Sequence, residues 1–220
     1  DPTHLDRDHG MATAQDVLSF WFGELTPKQW FSTSAEVDEA IQRRFGDTHS
    51  AAARGELFEW RETPGGRLAE IIVLDQFSRN LFREDPRSFA FDTMALVLAQ
   101  EAIAAGAHTT LEADQVAFLY MPYMHAESLP MHEIAEKLFD APGLEHSLRS
   151  LREHTKVLQQ FGRYPHRNGV LSRASTREEE AFLEGGVVAL VESLVIGLVW
   201  TALLLAWVSN GFEGILFGLP

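Results

Sequence analysis

The chain has 220 residues, 45% of them hydrophobic, with 32 acidic against 18 basic side chains and no cysteine. Such a composition is too apolar for a disordered chain and suits one ordinary domain with an appendage. The net charge of −14 leaves no basic stripe for nucleic-acid phosphates, and without Cys there are no disulfides, thiolate metal sites or cysteine nucleophile.

Residues 1–10, DPTHLDRDHG, read as a polar extension without an apolar leader-like run, so fold reasoning starts at Met11. Val17, Leu18, Trp21 and Phe22 repeat at helical spacing behind Asp16. Val37, Ile41 and Phe45 mark a second amphipathic helix that should stop near Gly46 or Gly55. A third runs from Leu68 to Phe82, and a fourth starts at Pro86 and ends at Gly106. Leu111 to Tyr120 begins a fifth, which Pro122 should kink or end. Helix resumes from Ile134 to Phe139, and Leu144 to Phe161 forms a sixth closed by Gly162. Ser175 and Thr176 ahead of Glu178 and Glu179 resemble a capping box for a short helix to Leu183. No alternating strand pattern longer than four residues occurs, so the expected domain over 11–184 is all-α, its short loops joining antiparallel neighbours.

The run from Val187 to Val208 differs in kind, because no residue between Glu192 and Glu213 is charged. About 20 helical residues span roughly 30 Å, a bilayer's hydrocarbon thickness, so a transmembrane helix is expected there, with 209–220 as a short tail. Ala189, Ser193, Gly197 and Thr201 would share one face, where small side chains let a partner's membrane helix approach. Arg173 and Arg177 precede the run and no basic residue follows, which would place the folded domain at the cytoplasmic face of the inner membrane. If the tail is foreign to the domain, the expectation reverts to a cytoplasmic protein.

Three segments are dense in chemistry. LDQFSRNLFRED carries Asp75, Gln76, Arg79, Asn80 and Arg83. Asp75–Arg79 and Arg79–Arg83 are i,i+4 pairs that would either clamp a small anion or form a buried structural network in which Asp75 neutralises Arg79. FLYMPYMHAES carries His125, a general-base candidate, with Glu127 as its orienter or acid; a hydrogen-bonded core histidine is the alternative. FGRYPHRN carries Arg163, His166, Arg167 and Asn168 on a structured loop, His166 being the third catalytic candidate. His166 with His125 and Glu127 or Asp75 would offer nitrogen and oxygen ligands, but no HExxH or similar spacing supports a metal, and no phosphate loop or dinucleotide fingerprint implies a cofactor.

These segments, with VLSFWFGE, QWF and SRASTREEEAFL, resemble the bacterial family called domain of unknown function 924 over residues 15–184. The resemblance implies a tetratricopeptide-like right-handed superhelix of antiparallel helix pairs and no particular activity. It also implies that the eleven polar residues named above share a pocket or a structural network. Ser172 stands where the family more often has Gly, and family members usually end near FLEGG, so the apolar run resembles an addition. Two functions compete: an interaction module held at the membrane with a protein partner, or a soluble hydrolase or anion-binding transferase using a His/Arg/Glu pocket.

Overall fold

The structure is a computed structural model that describes residues 11–185. The extension 1–10, the expected membrane helix 187–208 with its small-residue face, and the tail 209–220 lie outside the described residues. Among those described, every regular element is helical, and no helix is long and apolar enough to cross a membrane. The chain divides into two compact units, one through Ser172 and one from Arg173 onward. In the second, a helix over 177–185 starts at the anticipated capping box: Thr176 N–H donates to Glu179 Oε2 at 2.7 Å, and Glu179 N–H to Thr176 Oγ1 at 3.2 Å.

The first unit is organised around a helical rod. It comprises α4 (Pro64–Ile72), a π-helical turn at Val73–Phe77, and α5 (Ser78–Leu81). Leu68, Ala69, Ile71, Ile72, Val73, Leu74 and Phe77 are all completely buried. A helix apolar on all sides has to be surrounded. The rod therefore packs against α1 (Ala14–Leu18), α3 (Ala35–Ala53), α6 (Asp92–Ala104) and α7 (Ala113–His125). Beyond it, α6, α7, α8 (Leu129–Phe139) and α9 (Glu145–Phe161) each pack on the next in chain order. Glu70 is fully buried yet satisfied, since Arg61 donates two hydrogen bonds of 2.6 Å to its carboxylate.

The aromatic residues near the N-terminus pack around one side chain. After α1 a second π-helical segment, Ser19–Glu24, presents Trp21 and Phe22, and α2 (Pro27–Trp30) ends at Trp30. All three rings meet Phe118 of α7 edge-on, at centroid distances of 5.5, 5.6 and 5.3 Å, while Phe31 lies parallel to it at 6.1 Å. Trp30 is further fixed by its Nε1–H, which donates to the Trp21 carbonyl at 2.7 Å.

Of the two stops expected for α3, it takes the later: the helix runs through Gly46 to Ala53, just ahead of Arg54 and Gly55, the latter with φ of +73°. Pro86 opens only a 3-10 turn, Pro86–Ser88, and α6 begins at Asp92. Pro122 does not end α7, which continues to His125. Residues 117–124 are buried throughout, and packing of that extent outweighs one missing backbone hydrogen bond.

The tightest backbone approach is at Gly66, where a Cβ would stand 1.9 Å from the Trp60 carbonyl oxygen. Gly66→Ala should destabilise the domain by about 2–4 kcal/mol, because the rod would have to shift off Trp60. Gly23→Ala, with nothing within 4 Å of its added methyl, should be neutral or slightly stabilising. Urea unfolding of both variants checks the contrast.

Candidate functional site

The π-helical turn places Asp75 and Gln76 at the inner end of a cleft. Asp75 is 1% exposed and ties three side chains together. The Gln76 amide donates to Oδ2 at 2.5 Å, Arg79 lies 3.1 Å from Oδ1, and His125 Nδ1 stands 2.7 Å from Oδ1. Arg79 also donates to the Asp75 carbonyl at 2.5 Å. Burial pushes the Asp75 carboxyl up, but Arg79 and His125 together overcome that and hold it well below the usual carboxylate range. The carboxylate is therefore ionised and accepts from His125 Nδ1–H.

His125 responds in the opposite sense. Burial first, then the Arg79 charge, push the imidazole below its ordinary 6.5, against the pull of Asp75 and Asp92. At neutral pH the ring is uncharged, with its proton on Nδ1. Nε2 is then an acceptor, and no described residue hydrogen-bonds to it. This is a base held in one tautomer by a buried carboxylate.

The charges continue outward in alternation. Arg79 reaches Asp92 at 3.0 Å, and Asp92 also receives Arg167 at 3.1 Å. Arg167 in turn donates to the His125 carbonyl at 3.0 Å, closing the α7 C-terminus, and its guanidinium lies over Phe89 and Tyr164. Separately, Arg83 grips Asp38 of α3 through Nε and Nη2, and Asn80 donates to the same carboxylate at 2.8 Å. The three arginines thus face three aspartates, and the network as a whole is neutral.

In front of it lies a cleft of about 490 Å³. Gln76, Arg79 and Asn80 of the rod, with Arg83 just past its end, form one wall. Met121, Met124 and His125 of α7 make the floor, and His146, Ser147, Ser150 and His154 of α9 the opposite wall. Trp30, Phe31, Ser32 and Thr33 close one end, and among the described residues no carboxylate lines the space. A second cleft, also of about 490 Å³, reaches His125 from beside Asp92, Glu127 and Arg167.

Of the sequence-derived candidates, Gln76, Arg79, Asn80, Arg83 and His125 line the first cleft, Asp75 is buried and bonded to His125 and Arg79, and Arg167 joins them through Asp92. Glu127 does not orient His125. The helix ends between them, and Glu127 accepts from Tyr164 N–H at 2.7 Å while lining the second cleft. His166 is exposed, its ring stacked on Tyr164 at 5.5 Å, and lines neither cleft. Asn168 is buried and Arg163 half-buried, and neither lines a cleft. Among the described residues no group of three His, Asp or Glu could hold a metal ion. Sequence reasoning missed Asp38 and Asp92, the acids that position the arginines, and the α9 residues His146, Ser150 and His154. For the last three, the four-residue spacing along EHSLRSLREH was the available signal.

The first unit is therefore an all-α domain with a polar cleft between helices, built around a carboxylate-held histidine. The chain belongs to the bacterial family of proteins of unknown function, domain of unknown function 924, whose pattern matches residues 17–187. It is similar to a solved protein of unknown function from Agrobacterium tumefaciens, with 38% identity and a TM-score of 0.72, covering 78% of this chain and 97% of that one. No curated protein matches.

Asp92 is the pivot between two largely buried arginines. Asp92→Asn should cost about 3 kcal/mol, since it removes the carboxylate paired with the buried Arg167 and leaves Arg79 with Asp75 alone. Glu136→Gln, which breaks an exposed pair with Arg152, should leave the unfolding midpoint essentially unchanged. Equal losses in thermal denaturation would contradict this ranking.

Proposed function

We propose that the chain is an enzyme-like binder of a small anionic molecule, with the Asp75–His125 pair accepting a proton from the bound ligand or an adjacent water. The carrying observation is the unpartnered Nε2 of a neutral, carboxylate-anchored histidine in a cleft rich in donors and lacking acids. Arg79 and Arg83 supply the anion's partners: Arg83 uses Nε and Nη2 on Asp38, which leaves Nη1 for a ligand. These features support a reading as a hydrolase or an anion-binding transferase. The scaffold that carries the cleft reads as a tetratricopeptide-like right-handed superhelix, a reading supported by consecutive helices packing pairwise from α6 to α9.

Ligand binding to the native state raises the melting temperature by mass action. Phenyl phosphate or benzoate at about a hundred times its dissociation constant should raise the midpoint by roughly 5–10 °C. Arg83→Gln and His125→Ala should each abolish the rise. In parallel, the His125 ring signal in NMR should titrate below 6.5, so any activity that needs the neutral ring falls as pH drops through that depressed value. The absence of a shift with either anion, or a shift that survives both substitutions, refutes the reading.

A second reading concerns the apolar run at 187–208, which starts where the family pattern ends. On it, the run holds the domain at the cytoplasmic membrane face and packs Ala189, Ser193, Gly197 and Thr201 on a partner's helix. The full chain should then remain with salt-washed membranes while a chain ending at 186 is released, and Gly197→Leu should weaken co-purification of the partner. Membrane retention of the shortened chain counts against it.

A further inference from the structure

His154 was not among the candidates, yet it mirrors His125. It lies on α9, in the wall facing Arg79 and Arg83, and its Nδ1 stands 2.8 Å from the Ser150 carbonyl oxygen. A carbonyl can only accept, so Nδ1 carries the hydrogen, and in the neutral ring Nε2 is the basic atom. That Nε2 has no hydrogen-bond partner among the described residues. Of the three histidines that line the cleft, two are thus anchored at Nδ1, His125 by a carboxylate and His154 by a carbonyl. Such a pair can take up a proton at one point and deliver one at another.

The rest of the lining narrows the substrate. The cationic groups Arg79 and Arg83 are already compensated by Asp75, Asp92 and Asp38. The wall therefore offers directed donors with little net charge, which suits one negative charge better than two. Trp30 and the 64%-exposed Phe31 form an apolar end to the cleft, with their rings held in place on Phe118. We propose that His154 is the proton donor and His125 the proton acceptor in hydrolysis of a singly charged aromatic phosphodiester bound in this cleft. This rests on the ligand-binding reading above and names its substrate class.

The step balances without metal or redox partner. Water loses a proton to His125 Nε2 as its oxygen bonds to phosphorus. The phosphorus–aryl oxygen bond breaks, and its electron pair remains on that oxygen, which takes the proton from Nε2 of the protonated His154. The products are a phosphomonoester and a phenol, and proton exchange with solvent restores both rings. Arg83 Nη1 and Arg79 face the non-bridging oxygens, where charge accumulates.

The test uses leaving groups of unequal need for a proton. Full-length protein is assayed with bis(4-nitrophenyl) phosphate, whose phenolate leaves unaided, and with diphenyl phosphate, whose phenolate does not. His154→Ala, with His154→Gln as a second variant and circular dichroism confirming the fold, should cut kcat for diphenyl phosphate about 10²–10⁴-fold. Its effect on the nitrophenyl ester should be at least tenfold smaller, whereas His125→Ala should depress both alike. Equal losses for the two esters in the His154 variants would overturn the assignment. If diphenyl phosphate raises the melting temperature but the wild type cleaves neither ester, the cleavage inference falls while the binding reading stands. If it neither raises the melting temperature nor is cleaved, the inference falls, and the binding reading is judged on phenyl phosphate and benzoate.

Discussion

The buried Asp75 carboxylate is the point on which the first unit's polar architecture depends. A carboxylate at 1% exposure is tolerable only with its charge met and its lone pairs filled. Gln76, Arg79 and His125 meet both needs, the first two from the rod itself and the third from α7. Gln76 and Arg79 hold the rod's own π-helical turn in place, while His125 docks the C-terminus of α7. Through Arg79 the same charge reaches Asp92 and then Arg167 in the loop after α9. One buried anion thereby fixes the relative positions of the rod, α6, α7 and the 165–167 turn.

The same network sets what the cleft can do. Each arginine is held from behind by an aspartate, so the guanidiniums are rigid donors and not free charges. A ligand gains little from bulk electrostatics in a chain of net charge −14, which would repel a multiply charged anion at long range. Recognition then depends on short-range hydrogen bonds and on the apolar end at Trp30 and Phe31. The aromatic cluster on Phe118 matters for this reason: the N-terminal motifs position the side chains against which a ligand's apolar part would rest.

Much of this was legible in the sequence. Helical periodicity and capping gave the all-α class, and the density of polar residues in LDQFSRNLFRED singled out the right segment, because such residues rarely interrupt an apolar run without partners. Pairing was less legible. The i,i+4 rule found Asp75–Arg79 but could not show that Arg83 turns away from Arg79 to Asp38, 45 residues earlier. Local spacing carries no information about a partner on another helix. Pro122 shows a related limit: its local cost is about 3 kcal/mol, and the long-range packing that lets α7 continue past it cannot be read from local sequence. His125 and Glu127 looked like a dyad only by adjacency in sequence, whereas the helix end at His125 sends one to Asp75 and the other to the Tyr164 backbone.

His125 is placed between two clefts, and this is the less expected consequence of the helix end. A histidine in the middle of α7 would face one side only. At the last helical residue it borders the cleft of Arg79 and Arg83 and also the space beside Asp92, Glu127 and Arg167. A ligand entering from the first side need not block exchange from the second. On the proposed reading, protons taken up by His125 would have a route to solvent that does not pass through the bound molecule. The arrangement would separate binding from proton return, with Arg167 bonded to the His125 carbonyl and lining only the second cleft.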